Sequence, residues 1–452
     1  MADQVTSMND KSHILHRSAR TVPPRAARGE GVWITGSNGT RYLDACGGAA
    51  VSCLGHGDPE VIAAIAEQAR TLAYAHTSFF TTAAAEDLAD LLVSDAPAGI
   101  ERVYFVCDGS EAIETALKMA HQYHRERGQP SRRHIIARGQ SYHGNTLGAL
   151  SAGGNAMRKA VFEGVMLPKT SHIDPCWEYR YRNASETAED YGLRAANALE
   201  AEILRIGAEN VSCFLAETVV GATLGCVPPA PGYFARIREI CDRYGVLLIL
   251  DEVMCGMGRT GTMHACEQEG VAPDIMVVAK GLGAGYIPLG AVLCSRDVFD
   301  VFVNGSGSFM HGHTFVGHPV ACASALAVQN AVRGRNLLEN VAVRGLQLRA
   351  ALGAAFDSHP NVGDIRGRGL FQAIEIVADR ETKAPFDPVR RVNVAIRNAC
   401  MERGLLVYAM GGTLDGRNGD HILLAPPYIC DASDIEFIVD RLRSAVKETC
   451  PD

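Results

Sequence analysis

One lysine near the middle of the chain stands in a setting that favours chemistry. Lys280 follows the apolar run DIMVVA and precedes Gly281, Gly283 and Gly285. A lysine held at the end of a buried strand loses its proton more easily than a surface lysine and becomes a nucleophile. The setting therefore predicts a lysine that forms a Schiff base with a carbonyl compound. A surface lysine is the ordinary alternative, which the apolar run makes a poor fit.

A carboxylate ends a second apolar run. Asp251 closes the segment GVLLILD (245–251). A carboxylate at the end of a buried strand is unfavourable unless it has a partner. The protonated ring nitrogen of a bound ligand would be such a partner. The structural alternatives are an N-cap or a salt bridge with Arg259.

Two further segments carry a polar or aromatic side chain just after an apolar run. DGSEAIETALKMA follows RVYFV (102–106), and a helix that starts near Ser110 would offer free backbone N–H groups to an anion. An ordinary N-cap formed by Ser110 with Glu111 is the alternative. Tyr142 follows RHIIA (133–137), at a position where an aromatic ring could stack on a planar ligand. A tyrosine that only packs is the alternative there.

These side chains need a scaffold of covered strands. The apolar runs lack the polar alternation of half-exposed strands, and a helical pattern at 231–245 lies between two of them. Strand, helix and strand in this order predict an α/β fold with a large, mostly parallel sheet covered by helices. The predicted strands are 102–106, 133–137, 211–217, 245–251 and 274–280.

The pattern changes after about residue 330, where long amphipathic helices alternate with a few strands. This part is predicted to form a smaller α+β domain, joined by the N-terminal segment with its hairpin turn at Asn38-Gly39. The division is then a large domain at 61–330 and a small domain built from 1–60 and 331–452. The expected helices of the small domain are 336–357, 388–403 and 431–447.

The composition is that of an ordinary globular protein. The 452 residues carry a formal net charge of −8, and their Lys and Arg residues are scattered, so no nucleic-acid or membrane partner is expected. No apolar segment reaches membrane-spanning length, and the N-terminus lacks a signal-peptide pattern. The fourteen cysteines form no C-x-x-C pair. We therefore expect a cytoplasmic protein with buried, reduced thiols.

Together these segments closely resemble the class III aminotransferases, which are pyridoxal 5′-phosphate enzymes of the aspartate-aminotransferase fold. The resemblance runs from GTRYLD and LGHGDPEV near the start to the Arg-Gly-x-Gly segment near residue 366. It implies pyridoxal 5′-phosphate as cofactor and no metal. It also implies the transfer of an amino group from a primary amine or ω-amino acid to a 2-oxo acid, pyruvate or 2-oxoglutarate, by a ping-pong mechanism.

The resemblance assigns roles to individual residues. Lys280 would hold the cofactor as a Schiff base and then move protons as general base and acid, while Asp251 would pair with the pyridine nitrogen. Tyr142 and Val253 would cover the two faces of the ring, and Ser110 would hold the phosphate together with its neighbouring glycine. The implied cofactor-binding set is Gly109, Ser110, Tyr142, His143, Glu217, Asp251, Val253, Lys280 and Thr314.

Thr314, in HGHTFVGHP, matches the family threonine that reaches the phosphate bound by the neighbouring subunit. The resemblance therefore implies a homodimer, or a tetramer, with active sites shared between subunits. The three histidines of this segment, His311, His313 and His318, suggest a metal site as an alternative. Their spacing matches no known ligand pattern, which makes that alternative weak.

Several departures from the family pattern bear on the substrate. Met254 stands where relatives acting on 4-aminobutyrate have Gln, which resembles the amine and ω-amino-acid–pyruvate branch. Ala222 stands where those relatives have a Glu that masks a substrate-binding arginine. Arg366 matches that arginine, and Arg417 matches the mobile arginine of ω-transaminases. Either could bind a substrate carboxylate, with a packing salt bridge as the alternative for Arg366. Asp108 replaces the usual Ser or Thr, although a carboxylate beside a phosphate is unfavourable unless it points away.

Other functions are compatible with the same residues. An aminomutase, racemase or decarboxylase can use the same scaffold and cofactor, because the fold does not determine the reaction. A cofactor-sensing regulator would need a DNA-binding segment, and the chain has no basic helical region to provide one. A metallohydrolase built on the three histidines is the remaining alternative.

Overall fold

The computed structural model describes residues 12–450, which begin with three short strands and two helices. The predicted hairpin turn is confirmed: Gly39 has a φ of +83°, and the Asn38 side chain accepts a hydrogen bond from the Thr40 N–H at 3.1 Å. The elements are β1 (Ala26–Glu30), β2 (Trp33–Gly36), β3 (Arg41–Asp44), α1 (Pro59–Thr71) and α2 (Ala83–Ser94).

The central part of the chain alternates strands with helices. All five predicted strands are present, and the helix predicted at 231–245 is observed as Tyr233–Tyr244. The elements are β4 (Ile100–Val106), α3 (Gly109–Glu126), β5 (His134–Arg138), α4 (Leu147–Ala152), α5 (Ala156–Lys159), β6 (Thr170–Ile173), α6 (Ala188–Ile206), β7 (Val211–Glu217), α7 (Tyr233–Tyr244), β8 (Leu247–Asp251), β9 (Ile275–Val278), β10 (Gly290–Ser295) and α8 (Arg296–Asn304).

These strands form one seven-stranded sheet in the order β4-β10-β9-β8-β7-β5-β6. All neighbouring pairs are parallel except those of β10, which is antiparallel to both β4 and β9. The predicted fold class, α/β with a mostly parallel sheet covered by helices, is confirmed. Because β7, β8 and β9 run in the same direction, their carboxyl ends meet at one edge of the sheet, where ligands bind in such folds.

Both faces of this sheet are buried, which explains why its strands lack polar alternation. Along β8, Leu248 and Leu250 pack into one hydrophobic cluster, while Leu247 and Ile249 pack into a second cluster. The second cluster includes buried side chains of α3, and α7 contributes to the first. Helices therefore cover both faces of the sheet, and its carboxyl edge lies between them.

The C-terminal part contains the three predicted helices and two small groups of strands. The predicted helices are observed with slightly different bounds from those expected. The elements are α9 (Pro319–Gly334), α10 (Leu337–Phe356), β11 (Val362–Arg368), β12 (Phe371–Ile376), α11 (Val392–Glu402), β13 (Leu405–Leu406), β14 (Tyr408–Gly411), β15 (Asp420–Leu424) and α12 (Ala432–Thr449). Short helical turns lie at Gly47–Ala50, Ala160–Val165, Glu178–Tyr181, Ala208–Asn210, Ala265–Glu269, Lys280–Leu282 and Pro388–Arg390.

Strand pairing joins the two ends of the chain. The strands β11, β12, β15 and β14 form an antiparallel sheet, and β1, β2 and β3 form another sheet with β13. In the latter, Leu43 of β3 pairs in parallel with Leu405. The N-terminal segment thus shares a sheet with the C-terminal part. The proposed division into 61–330 against 1–60 and 331–452 stays a prediction, and residues 1–11 and 451–452 lie outside the described residues.

No helix within residues 12–450 is long and apolar enough to cross a membrane. The fourteen cysteines all lie in this range without a disulfide, and every one except the half-buried Cys107 is buried. Burial raises the pKa of these thiols, for example that of Cys213 to about 12. Such cysteines are packed as small apolar side chains and are poor nucleophiles.

Candidate active site

A cavity of about 270 Å³ lies at the carboxyl ends of the central strands. Three of the predicted site residues, Thr314, Arg366 and Arg417, are not among the residues that line it. The other eight, taken from segments far apart in the sequence, line the cavity together. They are Gly109, Ser110, Tyr142, His143, Glu217, Asp251, Val253 and Lys280.

Lys280 stands just beyond β9, in a left-handed backbone conformation with a φ of +43°. This conformation is uncommon for a residue with a side chain, and it persists where the surroundings fix it, often at functional sites. Burial lowers the pKa of the Lys280 amine from 10.5 to about 8, although the Asp251 and Glu217 carboxylates pull it upward. At neutral pH the amine is therefore far closer to its nucleophilic form than an ordinary lysine is.

Asp251, the last residue of β8, has both carboxylate oxygens held in place. His143 Nδ1 lies 2.7 Å from Asp251 Oδ2, and the Val253 N–H donates to Oδ1 at 3.0 Å. The alternative salt bridge with Arg259 is not formed, because Arg259 Nη1 donates instead to backbone carbonyls, including that of Pro426 at 2.6 Å. No lysine or arginine in the described range 12–450 lies within 4.0 Å of the Asp251 carboxylate. Its charge is thus available to a cationic group in the cavity.

Glu217 ends β7 directly opposite Asp251 in the sheet. Its Oε1 accepts a hydrogen bond from the Tyr142 N–H at 3.2 Å, and its Oε2 accepts one from the Gly221 N–H at 2.8 Å. Burial raises the pKa of Glu217. The side chain therefore anchors the backbone of the segment that carries Tyr142, and it adds a second carboxyl group to the same wall of the cavity.

The first turn of α3 forms another part of the wall. Its N-cap is Asp108, so the alternative in which Ser110 caps the helix is wrong: Asp108 Oδ1 accepts a hydrogen bond from the Glu111 N–H at 2.9 Å. A carboxylate is a favourable N-cap, which explains the aspartate that departs from the family pattern. Ser110 does not cap the helix, and its Oγ instead accepts a hydrogen bond from the Asn145 N–H at 3.2 Å.

Two glycines keep the start of α3 open. A Cβ atom at Gly109 would lie 3.0 Å from Val253 Cγ1, and one at Gly144, whose φ is +132°, would lie 2.8 Å from Ser110 Oγ. Any side chain at either position would fill the space beside the first turn of the helix. The result is a helix N-terminus with an uncovered approach, which is the arrangement that binds phosphate groups.

The cavity has further lining residues outside the predicted site set; of these, only Asp108, Met254 and Gly285 had been singled out in the sequence. Pro288 and Leu289 continue the glycine-rich segment after Lys280, so that motif was a usable signal for them. Val51 had no such signal, because it comes from the N-terminal region and reaches the site only through the fold. The additional residues are Val51, Cys107, Asp108, Gly144, Met254, Ala279, Gly285, Ile287, Pro288 and Leu289.

Comparison with known proteins decides the family. The profile of the aminotransferase class-III family matches residues 14–446. The chain is a class III aminotransferase. An uncharacterized aminotransferase of Schizosaccharomyces pombe is 49% identical over 448 residues, which cover 98% of each protein. The putrescine–pyruvate aminotransferase of Pseudomonas aeruginosa is 34% identical, with 97% of this chain and 93% of that protein covered.

The fold of the aminotransferase is also that of solved transaminases. The ω-transaminase of Pseudomonas jessenii, solved in complex with PMP, superposes with a TM-score of 0.92 at 32% identity, covering 98% of both chains. These similarities favour amino-group transfer over the aminomutase, racemase and decarboxylase alternatives.

Arg366 of the aminotransferase is paired within the protein. Its Nη1 lies 2.9 Å from Asp364 Oδ2 and also contacts the Glu375 carboxylate, and its Nε donates to the Gly225 carbonyl at 2.7 Å. The guanidinium carbon lies 5.3 Å from the centroid of the Trp177 ring. This buried arrangement is the packing salt bridge considered as the alternative for Arg366, and it leaves the guanidinium outside the cavity wall.

Arg417 has a different setting, in the loop between β14 and β15. In this loop, Asp415 Oδ1 accepts hydrogen bonds from the N–H groups of Arg417 at 2.8 Å and Asn418 at 2.7 Å. The Arg417 side chain is exposed, and no carboxylate of residues 12–450 lies within 4.0 Å of its guanidinium. The mobile role of Arg417 stays a prediction.

The segment that carries Thr314 lies at the surface. Thr314 is exposed, and its carbonyl accepts a hydrogen bond from the Tyr74 hydroxyl at 2.8 Å. Among the neighbouring histidines, His311 Nε2 lies 2.9 Å from Thr115 Oγ1. Within the described part of the chain, no group of three or more His, Cys, Asp or Glu side chains is arranged to hold a metal ion.

Proposed function

We propose that the enzyme is a pyridoxal 5′-phosphate aminotransferase that holds its cofactor through Lys280. The observation that carries the proposal is the meeting, in one cavity, of a low-pKa lysine and an orientated carboxylate beside an open helix N-terminus. Each feature fits one part of the cofactor. The Lys280 amine suits its carbonyl carbon, the Asp251 carboxylate suits its ring nitrogen, and the first turn of α3 suits its phosphate.

When bound, the cofactor supplies an electron sink for breaking a bond at the carbon beside the amino group. The residues of the chain do the rest. Asp251, fixed by His143 and the Val253 N–H, favours a protonated ring nitrogen through its charge. The Lys280 amine, with a pKa of about 8, can both accept and return a proton near neutral pH. Tyr142 and Val253 flank the same cavity and exclude water from a planar ring.

The proposed donor is a primary amine or ω-amino acid, and the proposed acceptor is pyruvate or 2-oxoglutarate. The similarity to a putrescine–pyruvate aminotransferase and to an ω-transaminase supports this class of donor. Met254 lines the cavity, and the buried Ala222 cannot mask an arginine as a glutamate would. With Arg366 paired to Glu375, we propose Arg417 as the residue that binds the carboxylate of the oxo acid.

We further propose a homodimer in which Thr314 reaches the phosphate site of the partner subunit; a tetramer of such dimers is the larger alternative. Support comes from exposed apolar side chains on the two segments that meet where the Tyr74 hydroxyl donates to the Thr314 carbonyl. Phe79, Phe80 and Met310 are 78%, 68% and 79% exposed, and the ring of Phe315 lies against Tyr74 with centroids 5.9 Å apart. Large apolar side chains clustered at a surface mark a protein interface.

The cytoplasm is the proposed location. The support is the set of fourteen cysteines without a disulfide within residues 12–450, which suits a reducing compartment. Neither a nucleic-acid nor a membrane partner is proposed, because the net charge is −8 and no basic surface was predicted.

The experiment that tests the proposed function is a panel of donors and acceptors assayed with the cofactor-loaded enzyme. Mixing the enzyme with a donor alone should change the visible absorbance of the cofactor in a single turnover, and adding an oxo acid should restore it. Formation of the matching amino acid, measured by chromatography, confirms group transfer. Turnover of the amine without any oxo acid, with full retention of the cofactor absorbance, would contradict the proposal.

A further inference from the structure

A second cavity, of about 380 Å³, lies apart from the active site. Its wall is formed by the turn Glu178–Tyr181, the segment 227–229, the strand β11 and one side chain of α10. It shares no lining residue with the active-site cavity, and the proposed mechanism does not use it. Its volume is in the range of small-molecule sites. Two acidic and four basic side chains line it, so its charge indicates what it can bind.

The acidic side chains at this second cavity are already neutralised. Asp364 Oδ2 lies 2.9 Å from Arg366 Nη1, and Glu178 Oε1 lies 3.0 Å from Arg182 Nε. Arg366 also contacts the buried Glu375, which accepts a hydrogen bond from Arg180 Nε at 2.9 Å. Three arginines therefore cancel three carboxylates: Arg180, Arg182 and Arg366 against Glu178, Asp364 and Glu375.

Two cations of the lining, Arg349 and Lys383, remain without an acidic partner. No Asp or Glu of residues 12–450 lies within 4.0 Å of either charged group. Lys383 Nζ donates to the Tyr179 carbonyl at 2.6 Å and lies 4.6 Å from the centroid of the Tyr179 ring. These contacts do not neutralise its charge, and the side chain is half-buried. A partly desolvated cation without an anion is unfavourable, so the cavity has an excess of two positive charges.

Two neutral donors at the same cavity also lack partners. Trp177 is only 1% exposed, and its indole N–H has no hydrogen-bond acceptor within the described range 12–450. The enclosed hydroxyl of Tyr179 is likewise unpartnered there. Burial raises the pKa of Tyr179 to about 12, so the hydroxyl keeps its proton and can donate. Buried donors without an acceptor are uncommon and unfavourable, which indicates that a ligand supplies the acceptor.

The donors favour one kind of anion. A carboxylate has two oxygens, whereas a phosphate group presents three strong acceptor oxygens and a charge near −2. A guanidinium binds such a group through two parallel hydrogen bonds, and a lysine binds it as a point charge. The Trp177 ring offers no free face to a nucleotide base, because the guanidinium carbons of Arg180 and Arg366 lie 5.7 and 5.3 Å from its centroid. A compact dianion therefore fits better than a flat ligand.

We propose that this second cavity binds a phosphate group through Arg349 and Lys383, with Trp177 and Tyr179 as neutral donors. The two carboxylate-free cations supply the charge that a dianion requires, and the two unpartnered donors supply hydrogen bonds to its oxygens. The inference is independent of the proposed function, because none of these four residues lines the active-site cavity. Free phosphate and a phosphorylated metabolite share this chemistry, and the titration separates them.

The test is a calorimetric titration of the cofactor-loaded enzyme at about pH 8, where phosphate is mostly doubly charged. Inorganic phosphate, glycerol 3-phosphate and acetate are compared at one ionic strength. Arg349→Gln and Lys383→Gln should each weaken phosphate binding about tenfold to a hundredfold, and Tyr179→Phe about threefold to tenfold, as expected for hydrogen bonds with and without a charged partner. The control is Arg397→Gln, at an exposed position of α11 outside the cavity, which should bind like the wild type.

Arg417→Ala tests whether the anion binds at the active site instead. Phosphate binding should persist in this variant and be weakened in Arg349→Gln, whose side chain is exposed and whose loss the fold should tolerate. Saturable binding of both phosphate compounds would mean that free phosphate suffices, and binding of glycerol 3-phosphate alone would identify a phosphorylated metabolite. Absence of saturable binding, acetate binding as tight as phosphate, or full binding in Arg349→Gln overturns the inference. The titration uses no amino donor, so a failure of amino transfer would overturn the proposed function alone.

Discussion

Replacing Lys280 by methionine should stabilise the cofactor-free enzyme at neutral pH. Burial depresses the pKa of this amine from 10.5 to about 8, so folding at pH 7 must bury a charged ammonium group. At about 1.4 kcal/mol for each tenfold change in proton affinity, the penalty is about 3 kcal/mol. This is an upper value, because the amine faces a cavity that reaches solvent. Methionine has similar length and no charge, so Lys280→Met should recover much of that energy.

The pH dependence identifies the cause. Below pH 8 the lysine is protonated in both the folded and the unfolded chain, so the penalty is fully present. Between about pH 8 and 10.5 the folded protein has released the proton while the unfolded chain still holds it, so the stability of the wild type rises with pH. The advantage of Lys280→Met should therefore be constant up to about pH 8 and shrink above it.

The assay is urea unfolding of the cofactor-free proteins between about pH 7 and 9.5, at one fixed protein concentration because an oligomer is proposed. Lys447→Met, at an exposed position of α12, is the control and should show no pH-dependent gain. A Lys280→Met protein no more stable than the wild type at neutral pH, or one with a gain that does not change across the whole pH range, would refute the assignment of a low-pKa lysine.

Three further substitutions test the other roles. Asp251→Asn should keep the cofactor but lower kcat about 100- to 1,000-fold, because an amide cannot stabilise a protonated ring nitrogen; unchanged turnover at saturating cofactor would make Asp251 purely structural. Thr314→Ala should weaken cofactor retention in dialysis, and dilution to the monomer, followed by analytical ultracentrifugation, should abolish activity; a fully active monomer would contradict the shared site. Arg417→Ala should raise KM for the oxo acid at least about tenfold more than KM for an uncharged amine donor, and equal effects in steady-state kinetics would assign Arg417 a structural role.

The central sheet could be predicted because its strands are buried on both faces. Continuous apolar runs such as the one that ends at Asp251 are typical of covered parallel strands, and the polar residue that follows each run lies at the carboxyl edge of the sheet. That rule brings Asp251 and Lys280 together, and Glu217, which only the family resemblance had named, lines the same cavity. The sequence therefore predicts a site residue well where that residue follows the end of a buried strand.

The arginines could not be assigned in the same way, because their partners come from distant segments. Arg366 is neutralised by Glu375 across an antiparallel strand pair and by carbonyls of the loop at Gly225. The sequence alone does not predict these contacts, because the contacting residues come from separate segments of the chain.

The N-cap of α3 is an intermediate case. Asp108 precedes Glu111 with the spacing of a capping residue and its acidic partner, so the sequence held a signal for a helix that begins at Gly109. Ser110 is also a residue type that favours capping, and the sequence alone does not rank the two positions. The structure separates the two functions: the aspartate caps the helix, and the serine is left for the ligand.

The most direct test of the central claim is to identify which lysine carries the cofactor. The cofactor-loaded enzyme is reduced with borohydride, which converts a Schiff base into a stable amine, and the digested protein is analysed by mass spectrometry. We predict a single modified peptide, with the pyridoxyl group on Lys280, and no modification in Lys280→Ala. A label on another lysine, or a Lys280→Ala protein that is still labelled and active, would contradict the account.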